Sequence, residues 1–289
     1  MLLLQHKRFC LLAVTGCLAA QTFDAASVKP FDVSRIATAS PQERRAWGQP
    51  TGGPGTSDPG RIRYPGVALQ VLLLQAFDIN NFQLAGPAWL ESERFDIDAT
   101  LPPGATKAQF RAMLQNLLVE RFKLATHSET KELPGYALVI GRKAKIKESA
   151  GPAAPPNDGA PVSLKLGPDR YFVPPDRQGV FFQLTGVNSA RSTFRQVTMP
   201  ELAATLQNQL KRPVTDATGL TAKYDFVLSY ATEGLSLGSG RLPVGPGSEE
   251  TPPDLLSALP EQLGLKLEAR KVSTQVIVVD HIEKTPTGN

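Results

Sequence analysis

The sequence predicts a mixed α+β fold made of two related lobes, each a small sheet packed by helices. Three observations carry the prediction. Two segments place apolar residues on one helical face, and each is opened by a capping box. Two aromatic-Asp strands, "RFDIDA" and "YDFVLSY", stand in corresponding places. The order helix, strand, aromatic-Asp strand, proline-bearing loop, helix and two strands occurs twice, which reads as an internal duplication.

The chain has 289 residues, and the first 20 stand outside this fold. Lys7 and Arg8 precede "FCLLAVTGCLAA", an apolar run too short for a stable membrane anchor and ending in small residues. That is an export signal with cleavage near Ala20. A rival processing reading takes "VTGC" as a lipobox with Cys17 as the acylated residue. Cys10 and Cys17 are the chain's 2 cysteines, so a chain cleaved near Ala20 has no disulfide and rests on its core. Loss of Lys7 and Arg8 leaves 29 basic against 27 acidic residues, a net of about +2. Such a charge argues against nucleic acid as a partner. No second stretch approaches membrane-spanning length, so a lipid on Cys17 is the one anchor in view.

The first lobe is expected over residues 21–147. "FDAASVKPFDV" reads as a short strand, and residues 37–60 as a Pro/Gly/Ser-rich loop. "VALQVLLLQAF" is apolar almost all round, the pattern of a helix buried on most sides. "FQLAGPAWL" and "RFDIDA" are extended. In "TKAQFRAMLQNLLVERF" the face is Phe110, Met113, Leu114, Leu117 and Leu118, and Thr106 with Gln109 forms the capping box. "FKLATH" and "GYALVIG" follow as two strands joined by a turn at Pro134-Gly135.

Residues 148–178, rich in Pro, Gly and Ala, read as a linker. The second lobe, residues 179–289, repeats the programme. "GVFFQL" and "STFRQV" are extended; "TMPELAATLQNQL" carries the box Thr198/Glu201 and a face of Leu202, Ala203, Leu206 and Leu210. "YDFVLSY" turns Tyr224, Phe226 and Leu228 inward by period two. In "PDLLSALPEQLG", Pro260 predicts a kink, or a helix ending near Leu259. "LKLEARKV" and "VIVVDHI" are the last two strands.

At "RPVTDATGLTAKYDF" and "EQLGLKLEARKVSTQVIVVDHIEKTP" the chain resembles a soil-associated family of exported bacterial proteins of unknown function, expanded as paralogues in acidobacteria. "FDAASVKP", "GPAWLESERFDIDA" and "MLQNLLVERFKLATHSETKELPGYALVI" carry the likeness through the first half. The resemblance implies export and the two-part layout; it implies no activity and no catalytic residues. Pro260 departs from the family's pattern, which favours a helix former there. In element order the chain is also similar to the small α/β domains at the periplasmic ends of secretins and TonB-dependent receptors, modules that mediate protein contacts.

Candidate chemistry is sparse. Asp96 and Asp98, two apart on a strand, share a face and could form an acid-base pair. Asp225, the counterpart of Asp96, is followed by Val227, so the pair does not belong to the repeated unit, and a solvated strand face is the plainer reading. The shared aspartate is expected to bond to nearby backbone. His127 and the pair Asp280-His281 lack the three or four ligands of a zinc site, and no G-x-S-x-G serine completes a triad. The Gly-rich "GGPGTSDPG" lacks a phosphate-loop pattern. "GRKAKIK" could hold an anionic headgroup or glycan but reads as a solvated strand exit, and Trp89 reads as a core plug. "DATGLTAKYDF" is the most signature-like segment: Arg212, Asp216, Thr218, Tyr224 and Asp225 form the candidate interaction surface. No metal or cofactor is expected. The function expected is that of a non-enzymatic envelope module binding protein, peptide or glycan. The alternative is an extracytoplasmic hydrolase, which would show a cleft where polar residues of both lobes converge.

Overall fold

The computed structural model describes residues 22–152, 154–155, 165–168, 171–186, 188–232 and 252–288, so Cys10, Cys17 and Ala20 lie outside the described residues. The fold is mixed α+β. The first half runs β1 (Ala25–Pro30), α1 (Arg35–Thr38), α2 (Pro41–Ala46), β2 (Thr51–Gly52), β3 (Arg61–Ala68), α3 (Leu69–Phe77), β4 (Leu84–Ala85), β5 (Arg94–Thr100), α4 (Lys107–Phe122) and β6 (Ala125–Ile140). The second runs β7 (Lys147–Glu148), a small pair β8 (Lys165–Leu166) and β9 (Phe172–Val173), β10 (Gly179–Leu184), β11 (Ser189–Val197), α5 (Met199–Leu210), β12 (Val214–Asp216), β13 (Tyr224–Ala231), α6 (Leu255–Ala258), a π-turn Leu259–Leu263 and β14 (Leu265–His281).

The strands form two four-stranded sheets that share one plan. In the first the order is β1-β5-β3-β2, and in the second, read from the other edge, β7-β13-β11-β10. Each begins with a short strand, makes an excursion, returns as an edge strand, and closes with the aromatic-Asp strand in the interior. The excursions are residues 31–50 and 149–178. The expected 37–60 loop therefore needs correcting: it contains α2 and β2. Ser40 caps α2 through a reciprocal box with Glu43, and Pro41 opens the helix. That Ser-Pro-x-Glu signal is legible in the sequence. The 148–178 segment likewise carries β8 and β9, and β7 straddles the point where the linker was expected to begin.

The helices form where their caps say. Thr106 and Gln109 bond reciprocally, as do Thr198 and Glu201. Phe110, Met113, Leu114, Leu117 and Leu118 are all buried, as are Leu202, Ala203 and Leu206. α6 ends at Ala258 and Pro260 sits in the π-turn, as its missing N–H requires. Helix ends at Asp78, Lys123, Lys211 and Gly264 all take left-handed conformations, which close the last turn.

A third sheet, β12-β6-β14-β4, joins the halves. Here the expectation of two strands on either side of Pro134 fails: β6 is one strand through Pro134, and β14 is likewise one strand rather than two. They pair antiparallel from Leu265↔Ile140 to His281↔Ala125. The physical reason is strand parity. Tyr136 N–H donates to Pro213 O on the β12 side, so Pro134, two residues earlier, aims its nitrogen the same way, where β12 has not begun. No ladder bond is lost.

This ribbon exchanges strand ends between two hydrophobic cores. The first gathers Tyr64, Leu72, Phe95, Leu118 and Phe122, and the second Phe194, Leu206, Leu228, Tyr230 and Leu259. β6 leaves the first half and buries Leu138 in the second core; β14 returns to pack Val279, with Ile282 just beyond it, on the first. Glu283 N–H donates to Phe122 O at 2.7 Å and Lys145 N–H to Leu263 O at 2.8 Å. The segment after each long strand thus caps the helix of the opposite half.

Candidate functional site

The two aspartates singled out by their aromatic neighbours have the same job. β3 bulges between Tyr64 and Val67, and β11 between Phe194 and Val197. Each bulge contains a residue with positive φ, Gly66 at 57° and Gln196 at 50°. Its N–H turns out of the ladder and needs an acceptor. Asp96 Oδ1 takes the Gly66 N–H at 2.8 Å, and Asp225 Oδ1 takes that of Gln196 at 2.7 Å. The preceding aromatics, Phe95 and Tyr224, are buried opposite Val67 and Val197. The expected backbone bond therefore runs to the neighbouring strand. Asp98 has a different environment. Partial burial pushes its carboxyl up, but hydrogen bonds and charge from Arg63 and Arg61 outweigh this and hold it below the usual range.

Beyond the shared bond the halves diverge. In the first half Arg35 from the excursion donates to Asp96 Oδ2 at 2.9 Å and lies over the Phe31 ring at 5.3 Å. Trp47 packs edge-on against the same ring, 5.0 Å between centroids. In the second half the corresponding place is a groove of about 700 Å³. One wall is the excursion: Gly151, Pro152, Ala154 and Pro155, with Asp176. The other is the sheet: Thr193, Arg195, Asp225 and Val227, with Phe194 and Phe226, whose rings stack in the second core with centroids 4.5 Å apart. The Gln196 side-chain amide pins the excursion in place, accepting from Ala154 N–H at 2.7 Å and donating to Pro152 O at 2.6 Å. Arg195 pairs with Asp176 at 3.0 Å. Among the described residues, no side chain takes Asp225 Oδ2.

Of the candidate interaction surface, only Asp225 lines this groove. Asp216 Oδ1 accepts from both Thr218 N–H and Thr218 Oγ1–H, and Thr218 Oγ1 accepts from Leu220 N–H, so both residues build a turn. Arg212 is exposed beside that turn, and the Tyr224 ring is in the second core. "GRKAKIK" closes the helix end: Lys145 Nζ donates to Glu261 O at 2.6 Å. Trp89 packs on the first core beneath Lys284.

The ribbon brings together one pair that the sequence kept apart. His127 Nδ1 lies 2.8 Å from Asp280 Oδ1 across β6 and β14, half exposed; His281 Nε2 is 4.0 Å from Glu283. Asp96 and Asp225 lie on different sheets, and the groove belongs to the second half alone. Among the described residues no three His, Cys, Asp or Glu side chains converge as a metal site would need, and no helix is long and apolar enough to cross a membrane. The groove itself was not legible, because it exists only once the excursion lies on the sheet; the signal available was Gln196, a bulge residue with an amide able to bond backbone on both sides.

Residues 70–282, from the first turn of α3 to just past β14, match a family described as a protein of unknown function, DUF3738. No curated protein and no solved structure matches the chain.

Proposed function

The chain belongs to the DUF3738 family of proteins of unknown function, and on that premise we propose that it is an exported cell-envelope protein that acts by binding, with the groove beside Asp225 as its docking site for a protein, peptide or glycan segment. The observation that carries this reading is the groove's construction. Its size suits a short segment, its lining mixes apolar residues with a few fixed polar groups, and the Gln196 amide holds the wall in place. Two of its ionisable groups serve the structure: Arg195 pairs with Asp176, and Asp225 gives Oδ1 to the bulge. Internal duplication accounts for the repeated sheet plan and for the bulge aspartates. Export rests on the leader, cut near Ala20 or acylated at Cys17, and mass spectrometry of the purified protein's N-terminus separates the two.

The hydrolase reading retains one favouring observation, the His127–Asp280 pair, which has the geometry that orients a general base. Among the described residues, no hydroxyl hydrogen-bonds His127. The test is comparative capture from envelope extract. The wild-type chain should retain a partner that Val227→Trp, filling the groove, loses and that Val119→Trp, on exposed α4, keeps. Hydrolysis of envelope glycan or peptide that disappears in His127→Ala would instead establish the enzyme.

A further inference from the structure

We infer that a cleft in the first half, where the loop after β2 meets the end of α3 and the start of α4, binds a small organic monocarboxylate. The site is separate from the groove beside Asp225 and does not depend on it. Its volume is about 200 Å³. That is the share of about seven waters at about 30 Å³ each, so a single-ring acid fills it. Ile62 and Phe110, 3% and 5% exposed, supply an apolar floor. Pro50, Gly53 and Pro54 form the loop wall, which belongs to the glycine-rich "GGPGTSDPG". That loop spends its own donors internally. Gly53 N–H donates to Asp58 O and Arg61 O at 2.9 and 2.8 Å, and Asp58 N–H to Thr56 Oγ1 at 3.2 Å. Thr56 donates to Gly53 O from both its N–H and its hydroxyl, at 3.2 and 2.8 Å. The loop is a self-bonded wall rather than an anion cradle, so side chains must hold the ligand.

Those side chains line the cleft. Arg111 and Asp78 pair at 2.7 Å and cancel in charge, so Lys107 gives the lining a surplus of one cation. Its stem is laid along the wall: a Cβ added to Gly55 would meet Lys107 Cε at 3.4 Å and Nζ at 3.8 Å. Gln75, half-buried, brings an amide whose orientation is fixed from below. Its Oε1 accepts from the buried Tyr64 O–H at 2.5 Å, which makes the NH2 its donor to a ligand. One surplus cation matches a monoanion, whereas a phosphate dianion would bring a second charge without a counterpart. A carboxylate accepts from an ammonium and an amide at once, and the apolar floor takes the body that carries it. Lys107 is exposed, so its charge contributes modestly and the floor must supply the rest of the affinity.

The test uses the full chain, expressed for export and purified in the form in which the cell leaves it. Four probes are titrated by amide chemical shift: phenylacetate, its neutral counterpart phenylacetamide, phenyl phosphate, and an acetylated Gly-Gly-Phe peptide with a free carboxylate. Phenylacetate should shift Gly53, Ile62 and the Gln75 side chain, with phenylacetamide and phenyl phosphate each about fivefold weaker. Lys107→Gln should unfold near the wild-type temperature and bind phenylacetate about fivefold more weakly. Lys107→Arg should keep most of the binding, and Lys271→Gln, exposed on β14, all of it. Equal binding of phenylacetate and phenylacetamide, or undiminished binding by Lys107→Gln, overturns the carboxylate. Phenyl phosphate binding more tightly overturns the monoanion, and the peptide binding more tightly overturns a free acid as the source. Shifts absent from the cleft overturn the inference. Each of these outcomes leaves the groove reading to the Val227→Trp capture.

Discussion

A carboxylate two residues into a strand reads as chemistry, and in both halves it is spent on backbone. Asp96 and Asp225 hold the displaced N–H of a bulge, and Asp225→Ala would leave that donor to water, costing about 1 kcal/mol or more; urea denaturation reads the loss. The helix ends make a sharper contrast at this scale. Lys123 and Gly264 occupy corresponding left-handed caps, but a Cβ on Gly264 would stand 1.9 Å from Lys143 O, so only glycine fits. Gly264→Ala should therefore destabilise by more than about 2 kcal/mol, while Lys123→Gly should change stability by less than about 1 kcal/mol. Burial pushes the phenols of Tyr64 and Tyr230 up, and their hydrogen bonds to Gln75, and to Ser192 and Gln209, only partly offset it. Above pH 10, the ordinary tyrosine value, the unfolded chain releases protons that the folded one keeps. Stability present below that pH is then lost as pH rises further. Absorbance at alkaline pH should show both groups ionising only with unfolding.

Among the elements, the helices were the most legible, because a capping box and an apolar face are local facts. Thr106→Ala and Thr198→Ala should each cost about 1 kcal/mol, read as a lowered denaturation midpoint. The break at Pro260 was equally local. The strands were not. Pro134-Gly135 has the chemistry of a turn, and only the partner on each side decides whether proline interrupts a ladder. β12 starts too late to need its N–H, so the strand runs on. α2 was missed for another reason: its six residues bury no side chain, so the helical period never appears, although its cap does.

At the scale of the molecule, the repeated order was visible but its consequence was not. Two lobes in sequence suggest two independent cores. The ribbon instead puts Leu138 into the second core and Val279 onto the first, so neither core is complete without the other half. Leu118→Ala and Leu206→Ala, one in each core, should each cost about 2–5 kcal/mol and shift one common calorimetric transition; two separable transitions would refute the exchange. The candidate site was half legible. Asp225 stood in the segment that the sequence singled out, whereas Thr193, Arg195 and Val227 come from strand faces with no signature, joined by an excursion that reads as a linker. The binding role of that groove is the central claim, and cysteine-directed photo-crosslinking in envelope extract tests it most directly, since the chain's two cysteines, Cys10 and Cys17, both lie in its first 20 residues. A benzophenone on Val227→Cys should yield a discrete adduct that a label on Val119→Cys does not. Matching adduct patterns from the two positions, or none from Val227→Cys, would contradict it.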